Sequence, residues 1–254
     1  MNPLELSRVL ISRVAPNQWH ALEDDLVVGR GAMTPRPDGR MFVSIDAWHD
    51  AAFDRLADAM RADLPRPLHT VVDEADLDLA AQWRRAGFTT RRREWEYAVP
   101  TDPRATGLGA APPPGVTVLA LGRAEEAPLR DLDRTIRAEI EGGPGWQDMP
   151  AEVIAVPGLD PSKYIVATRS GRYAGLLRIA TVTRQPRIGL IAVRADDRRH
   201  GVARALLAHA LGALYRVGRE TASAEVTESN TAATALFEGI GARRTGSNLE
   251  LVLR

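Results

Sequence analysis

The stretch IGLIAVRADDRRHGVARALL, residues 188–207, constrains this chain more than any other. Residues 188–193 form a short apolar run of strand type, and GVARALLAHALGALYRVG, residues 201–218, carries apolar residues at helical spacing. Between the two stands a charged joint with a single glycine, Gly201. A strand that turns tightly into an amphipathic helix, and then enters a second strand at 222–228 (ASAEVTE), reads as a parallel crossover in a mixed sheet. The first N–H groups of such a helix have no partner inside it, and with the positive end of the helix dipole they attract phosphate. Arg198, Arg199 and Arg204 flank Gly201 and add fork-shaped charge suited to phosphate oxygens. The plainer alternative is a solvated loop in which the glycine only starts a helix.

The elements around this joint extend the α/β pattern. VTVLAL (116–121) reads as a strand, and EEAPLRDLDRTIRAEIEG (125–142) as a helix with Leu129, Leu132, Ile136 and Ile140 on one face. YIVAT and AGLLRIATV read as strands joined around a turn at Ser170 and Gly171. NTAATALFEGIG (230–241) reads as a helix opened by Asn230 and closed by glycine, and LELVLR as a last strand. PTDPRATGLGAAPPPG (100–115) has the composition of a linker. Ahead of it the order partly repeats, with strands at 40–46 and 68–74, helices at 50–64 and 76–88, and a strand at REWEYAV. Shifting this half by 154 positions lays Asp76 on Asn230, Ala81 on Ala235, Trp83 on Phe237 and Gly87 on Gly241. The expected organisation is therefore a degenerate copy at 1–99, a linker at 100–115 and a complete domain at 116–254.

Two motifs resemble the GCN5-related N-acetyltransferase (GNAT) family. The first is an apolar strand followed by Arg or Gln, two residues, Gly, any residue, then Gly or Ala at a helix start; Arg198, Gly201 and Ala203 match it. The second is a strand, a helix-starting Asn and an aromatic residue ahead of a glycine turn; Asn230, Ala233, Leu236, Phe237 and Gly241 match it. The resemblance implies the GNAT acyl-CoA N-acyltransferase fold, in two tandem copies, with acetyl-CoA as acyl donor. It implies that the loop around Arg198, Arg199, His200, Gly201, Val202, Ala203 and Arg204 holds the diphosphate. Backbone groups of Ile191, Ala192 and Val193 would pair with the pantetheine arm, Asn230, Ala233 and Phe237 would line it, and the strands at 188–193 and 222–228 would splay. In this half-by-half comparison DAWH stands where the diphosphate loop would be, so the first half is expected to bind no CoA.

Direct transfer to an amine needs a route for the amine proton, an oxyanion donor and often an acid for the thiolate. Many family members place a tyrosine acid where this chain has Phe237, so the thiolate would leave unassisted or with help from another group or from water. Glu225 and Glu141 are the leading candidate bases, with Glu139 a third, and the plainer reading, favoured for each, is a solvated surface carboxylate. Trp146 is a candidate pocket wall, and His209 reads as a helix-face residue. Asp196 and Asp197, which would repel phosphate, are expected to face solvent. A Gly201→Asp change is expected to block CoA while leaving the fold intact.

The chain has 33 basic and 33 acidic residues, which gives no global field for nucleic acid or an anionic membrane. It has no cysteine and no histidine spacing of metal-ligand type, and no apolar run near the ~20 residues of a membrane span. The first residues are too polar for a signal peptide, so a cytoplasmic enzyme without a metal is expected. The acceptor is expected to be a small-molecule primary amine. A non-catalytic acyl-CoA-binding or sensor protein is the alternative, and a nucleotide-binding protein is disfavoured because Val202 stands where a phosphate-loop lysine would follow Gly201.

Overall fold

The computed structural model describes residues 9–36, 38–109, 111–142, 159–180 and 185–254. The chain divides into two compact units, Met1–Arg93 with Ser247–Arg254, and Glu94–Gly246. The division falls at Arg93/Glu94 and again at Gly246/Ser247. Within 100–115, Asp102 caps a one-turn helix, α3 (Pro103–Thr106), accepting from the N–H of Arg104 at 2.8 Å. Asp followed by Pro at the first helical position is a helix-start signal even inside a proline-rich stretch.

The first unit holds β1 (Leu10–Ala15), β2 (Gln18–Glu23), β3 (Leu26–Pro35), β4 (Met41–Ala47) and β5 (Leu68–Asp73), with α1 (Asp50–Asp63) and α2 (Leu77–Arg85). Strand β12 (Arg243–Leu253) pairs its last residues antiparallel with β5. The three opening strands were not legible from apolar pattern; they are two hairpins, and the turn of the second carries Asp24 and Asp25 at positive φ. Phe53, Trp83 and Phe88 meet edge to face in the core, with Trp19, Leu56 and Met60 fully buried around them. Strands β4 and β5 run parallel and pair only at Met41↔Leu68 and Phe42↔His69.

On the opposite face of this sheet, Glu250 is buried among three arginines and a histidine. Its carboxylate accepts from His69 at 3.0 Å, Arg40 at 3.0 Å, Arg91 at 2.9 Å and Arg92 at 2.7 Å. Burial alone would raise this carboxyl; the His69 hydrogen bond and the guanidiniums of Arg92, Arg91 and Arg40 outweigh it and hold it at about 2.

The second unit holds β7 (Val116–Leu119), α4 (Glu126–Glu141), β8 (Tyr164–Arg169), β9 (Arg172–Ala180), β10 (Arg187–Val193), α5 (Val202–Arg216), β11 (Thr221–Thr227) and α6 (Thr231–Glu238). The last seven residues of β6 (Thr89–Pro100) complete its sheet, in the order β6-β11-β10-β9-β8-β7. Ser170 and Gly171, both at positive φ, make the β8–β9 turn, a conformation that the glycine adopts freely. Alternation along the strands divides the apolar side chains: Ile165, Leu177 and Ile188 join Val202, Leu206 and Leu211 of α5 on one face. Tyr164, Val166 and Leu176 join Leu129, Leu132 and Ile136 of α4 on the other. Each leucine buried here contributes roughly 1.5–3 kcal/mol, which fixes both the α4 and α5 placements.

The internal repeat is visible at the level of caps. Asp76 accepts from the Leu79 N–H and Asn230 from the Ala233 N–H, each at 3.0 Å. Trp83 and Phe237 are each 2% exposed, and Gly87 and Gly241 have φ of 90° and 80° after their helices.

Candidate functional site

The site begins where β10 and β11 part. They are parallel partners at only two pairs, Arg187↔Ser223 and Ile188↔Ala224. Beyond Ile188 a bulge intervenes, and from Leu190 to Val193 the strand pairs with β9 alone, while β11 continues against β6. The backbone edge of Leu190, Ile191, Ala192 and Val193 that faces β11 therefore has no strand across from it. This is the expected splay, and it presents main-chain donors and acceptors to an extended ligand.

The open edge leads directly into the charged joint. A 3-10 turn at Ala195–Asp197 is followed by Arg198 in extended conformation, Arg199 at φ 64° and Gly201 at φ 76°. Gly201 occupies the cap position of α5, and no side chain caps that helix. The first N–H with a partner in the helix is that of Ala205, which donates to the Gly201 carbonyl at 3.0 Å; those of Val202, Ala203 and Arg204 point out of the helix start. Gly201 is required twice over, because a Cβ there would sit at positive φ and 2.7 Å from Cγ of Pro113. A Gly201→Asp change would therefore strain the backbone as well as the ligand site, so it cannot leave the local fold intact. A cavity of about 140 Å³ opens beside Gly201, Arg204 and Ala205 against Leu108, Ala111 and Pro113.

The charges of the joint fall into two classes. Arg198 donates through Nε to the carbonyl of Val193 at 3.2 Å and reaches Glu139 of α4 at 3.5 Å. Glu139 also accepts from the N–H of Ala195 at 2.8 Å. Asp197 is buried, 1% exposed, and its carboxylate pairs with Arg169 at 3.1 Å and Arg172 at 3.2 Å from the β8–β9 hairpin. The expectation that both aspartates face solvent holds for Asp196 and fails for Asp197. Two arginines across the turn neutralise Asp197, so it is buried without repelling an anion at the helix start. Arg199, His200 and Arg204 are exposed, and among the described residues none of them takes part in an ion pair.

The candidate bases are placed differently. Glu225 projects opposite Val226, as alternation requires, and pairs with Arg187 at 2.9 Å beside the point where β10 and β11 part. Glu141 is exposed at the last residue of α4, and no hydrogen bond or ion pair joins it to Glu225 among the described residues. Trp146 and most of the loop after Glu141 lie outside the described residues. Asn230 spends its side-chain oxygen on the Ala233 N–H, which leaves its amide NH2 as the group able to reach a ligand. His209 is half-buried in α5, where burial and then the charge of Arg216 push its imidazole down.

One neighbour escaped the sequence reading. Phe237 is stacked on Tyr97 of β6, with ring centroids 6.0 Å apart and planes at 23°. The Tyr97 hydroxyl donates to Glu238 at 3.2 Å and accepts from Arg244 Nε at 3.1 Å. Alternation in REWEYAV places Tyr97 with Trp95 and Val99, yet the sequence carries no signal for the helix they would meet.

The comparisons agree with this geometry. Residues 132–242 match the acetyltransferase (GNAT) family. A [ribosomal protein bS18]-alanine N-acetyltransferase of Escherichia coli K12 is 38% identical over 74 residues, 29% of this chain, and the chain spans half the length of that relative. A GCN5-related N-acetyltransferase from Sphaerobacter thermophilus has a TM-score of 0.62 at 17% identity, covering 95% of this chain and 82% of its own. A tandem GNAT protein from the clavulanic acid biosynthesis pathway has a TM-score of 0.64 at 16% identity, covering 93% of this chain and 82% of its own. At such identities the structural likeness establishes the fold. Residues 132–242 are thus similar to the acetyltransferase (GNAT) family, and the chain shares the fold of these GNAT structures, a tandem one included.

Proposed function

We propose that the second unit is an N-acetyltransferase that moves the acetyl group of acetyl-CoA directly to a primary amine of a small molecule. The observation that carries this reading is the unpaired edge of β10 running into the uncapped start of α5, flanked by exposed Arg199 and Arg204. The backbone of Ile191, Ala192 and Val193 pairs with the pantetheine arm. Outward N–H groups at Gly201, Val202, Ala203 and Arg204, with His200 and the guanidiniums of Arg199 and Arg204, hold the diphosphate. Arg198 shapes the loop that carries them. Asn230, Ala233 and Phe237 border the arm from α6.

In the reaction the amine lone pair forms the new N–C bond, the C–S bond breaks, and the amine proton leaves for a base. Glu225, at the parting of the strands, takes that proton through water, and Glu141 serves from the end of α4 in binding the acceptor. Phe237 has no proton to give, and the thiolate departs without an acid, which a thiol of ordinary acidity allows. The first unit is a degenerate copy that binds no CoA. At its corresponding helix start the ring of His49 accepts from the Ala52 N–H at 3.2 Å, Asp50 follows, and no glycine is present. The enzyme works in the cytoplasm.

The test is release of free thiol from acetyl-CoA across a panel of amines. The named activity of the Escherichia coli relative favours a second acceptor class, the α-amine of a peptide beginning with alanine, and such a peptide belongs in the panel. Tight acetyl-CoA binding with no thiol release on any acceptor would favour a sensor instead.

A further inference from the structure

We infer that Glu139 is a positioning residue for the diphosphate loop, tying α4 to the one segment whose backbone direction decides whether acetyl-CoA is held. The inference rests on the acetyl-CoA reading above. An anion cradle made of main-chain N–H groups works only if their directions are fixed before the ligand arrives. The loop is costly to hold: Arg199 and Gly201 both sit at positive φ, and for the non-glycine residue that conformation is strained. Free of tethers, such a segment relaxes to other conformations and the helix-start amides lose their common aim.

Two carboxylates supply the tethers, and they engage different elements. Asp197 is held by Arg169 and Arg172 of the β8–β9 hairpin. Glu139 receives the Ala195 N–H and the Arg198 guanidinium, and Arg198 in turn holds the Val193 carbonyl. A single carboxylate thus sets both the end of the pantetheine strand and the entry to the loop. The side chains of Glu139 and Arg198 are 24% and 55% exposed, so their pairing adds little to global stability. That separates Glu139 from Asp197, whose buried carboxylate cannot be removed without leaving two arginines unbalanced. The same contacts remove Glu139 from the candidate bases, since both its partners are donors within the loop itself.

The experiment compares wild type, Glu139→Ala and Glu139→Gln by calorimetric titration with acetyl-CoA and by thiol release. Glu139→Ala is expected to weaken acetyl-CoA binding and raise its KM about tenfold, with kcat within about twofold and the melting temperature within a few degrees. Glu139→Gln is expected to recover to within about threefold of wild type, because an amide oxygen still accepts from Ala195. Unchanged acetyl-CoA affinity in Glu139→Ala overturns the inference alone. A fall in kcat at unchanged affinity in both variants overturns it in favour of a base. Failure of wild type itself to bind acetyl-CoA removes the functional reading and this inference together.

Discussion

Phe237 and Tyr97 lie face to face, 6.0 Å between centroids, yet the Tyr97 hydroxyl is turned to Glu238 and Arg244 and is held by both. Its contact with Arg244 is the leading reason that the guanidinium is even harder to deprotonate than usual. A phenol committed in this way is a packing anchor. Tyr97→Phe is expected to keep kcat within about threefold while lowering stability by about 1 kcal/mol, the ordinary worth of a hydrogen bond to its partners. A hundredfold loss of kcat at unchanged stability would make Tyr97 the missing acid.

Gly201 answers to backbone geometry before it answers to a ligand. Gly201→Ala is expected to lower stability by about 1–2 kcal/mol and to abolish measurable acetyl-CoA binding, because the Cβ at positive φ also meets Pro113. Combining it with Pro113→Ala relieves the contact and leaves the φ, so binding is expected to stay lost. Thermal unfolding and titration of the single and double variants read both effects.

Arg199 and Arg204 are expected to act through charge. Replacing either by alanine should weaken acetyl-CoA binding about tenfold, and the double change should flatten the dependence of affinity on ionic strength between low and physiological salt. Exposed arginines that do not touch phosphate would leave the salt dependence as it is.

Glu250 makes a separate prediction for the first unit. Its carboxyl is held at about 2 against an ordinary 4.5. A group depressed on folding stabilises above its unfolded value and loses that contribution as pH falls through the folded one, and this displacement corresponds to about 3 kcal/mol. Glu250→Gln is expected to lower the stability by roughly that amount at pH 7, and the gap from wild type should close as pH falls from 5 to 2. A constant gap across that range would contradict the account.

Much of this was legible in the residues because the relevant signals are local. Gly201, the apolar runs on either side and the cap at Asn230 each announce a backbone event within a few positions. The splay of β10 from β11 was implied by the family resemblance and appears as a pairing of two residues. What stayed hidden depends on partners distant in the chain. Asp197 looked like a solvent-facing carboxylate until the hairpin delivered Arg169 and Arg172, and Tyr97 met Phe237 only through the β6–β11 pairing. The hairpins β1–β2 and β2–β3 escaped because their faces mix polar with apolar residues and their turns lack glycine.

The central claim is that one acyl-CoA site exists, at the start of α5. Calorimetric titration of the whole chain with acetyl-CoA tests it most directly. The account predicts one site per chain, lost on Gly201→Ala and unaffected by Asp50→Asn at the corresponding helix of the first unit. Two sites per chain, or a single site that survives Gly201→Ala, would contradict it.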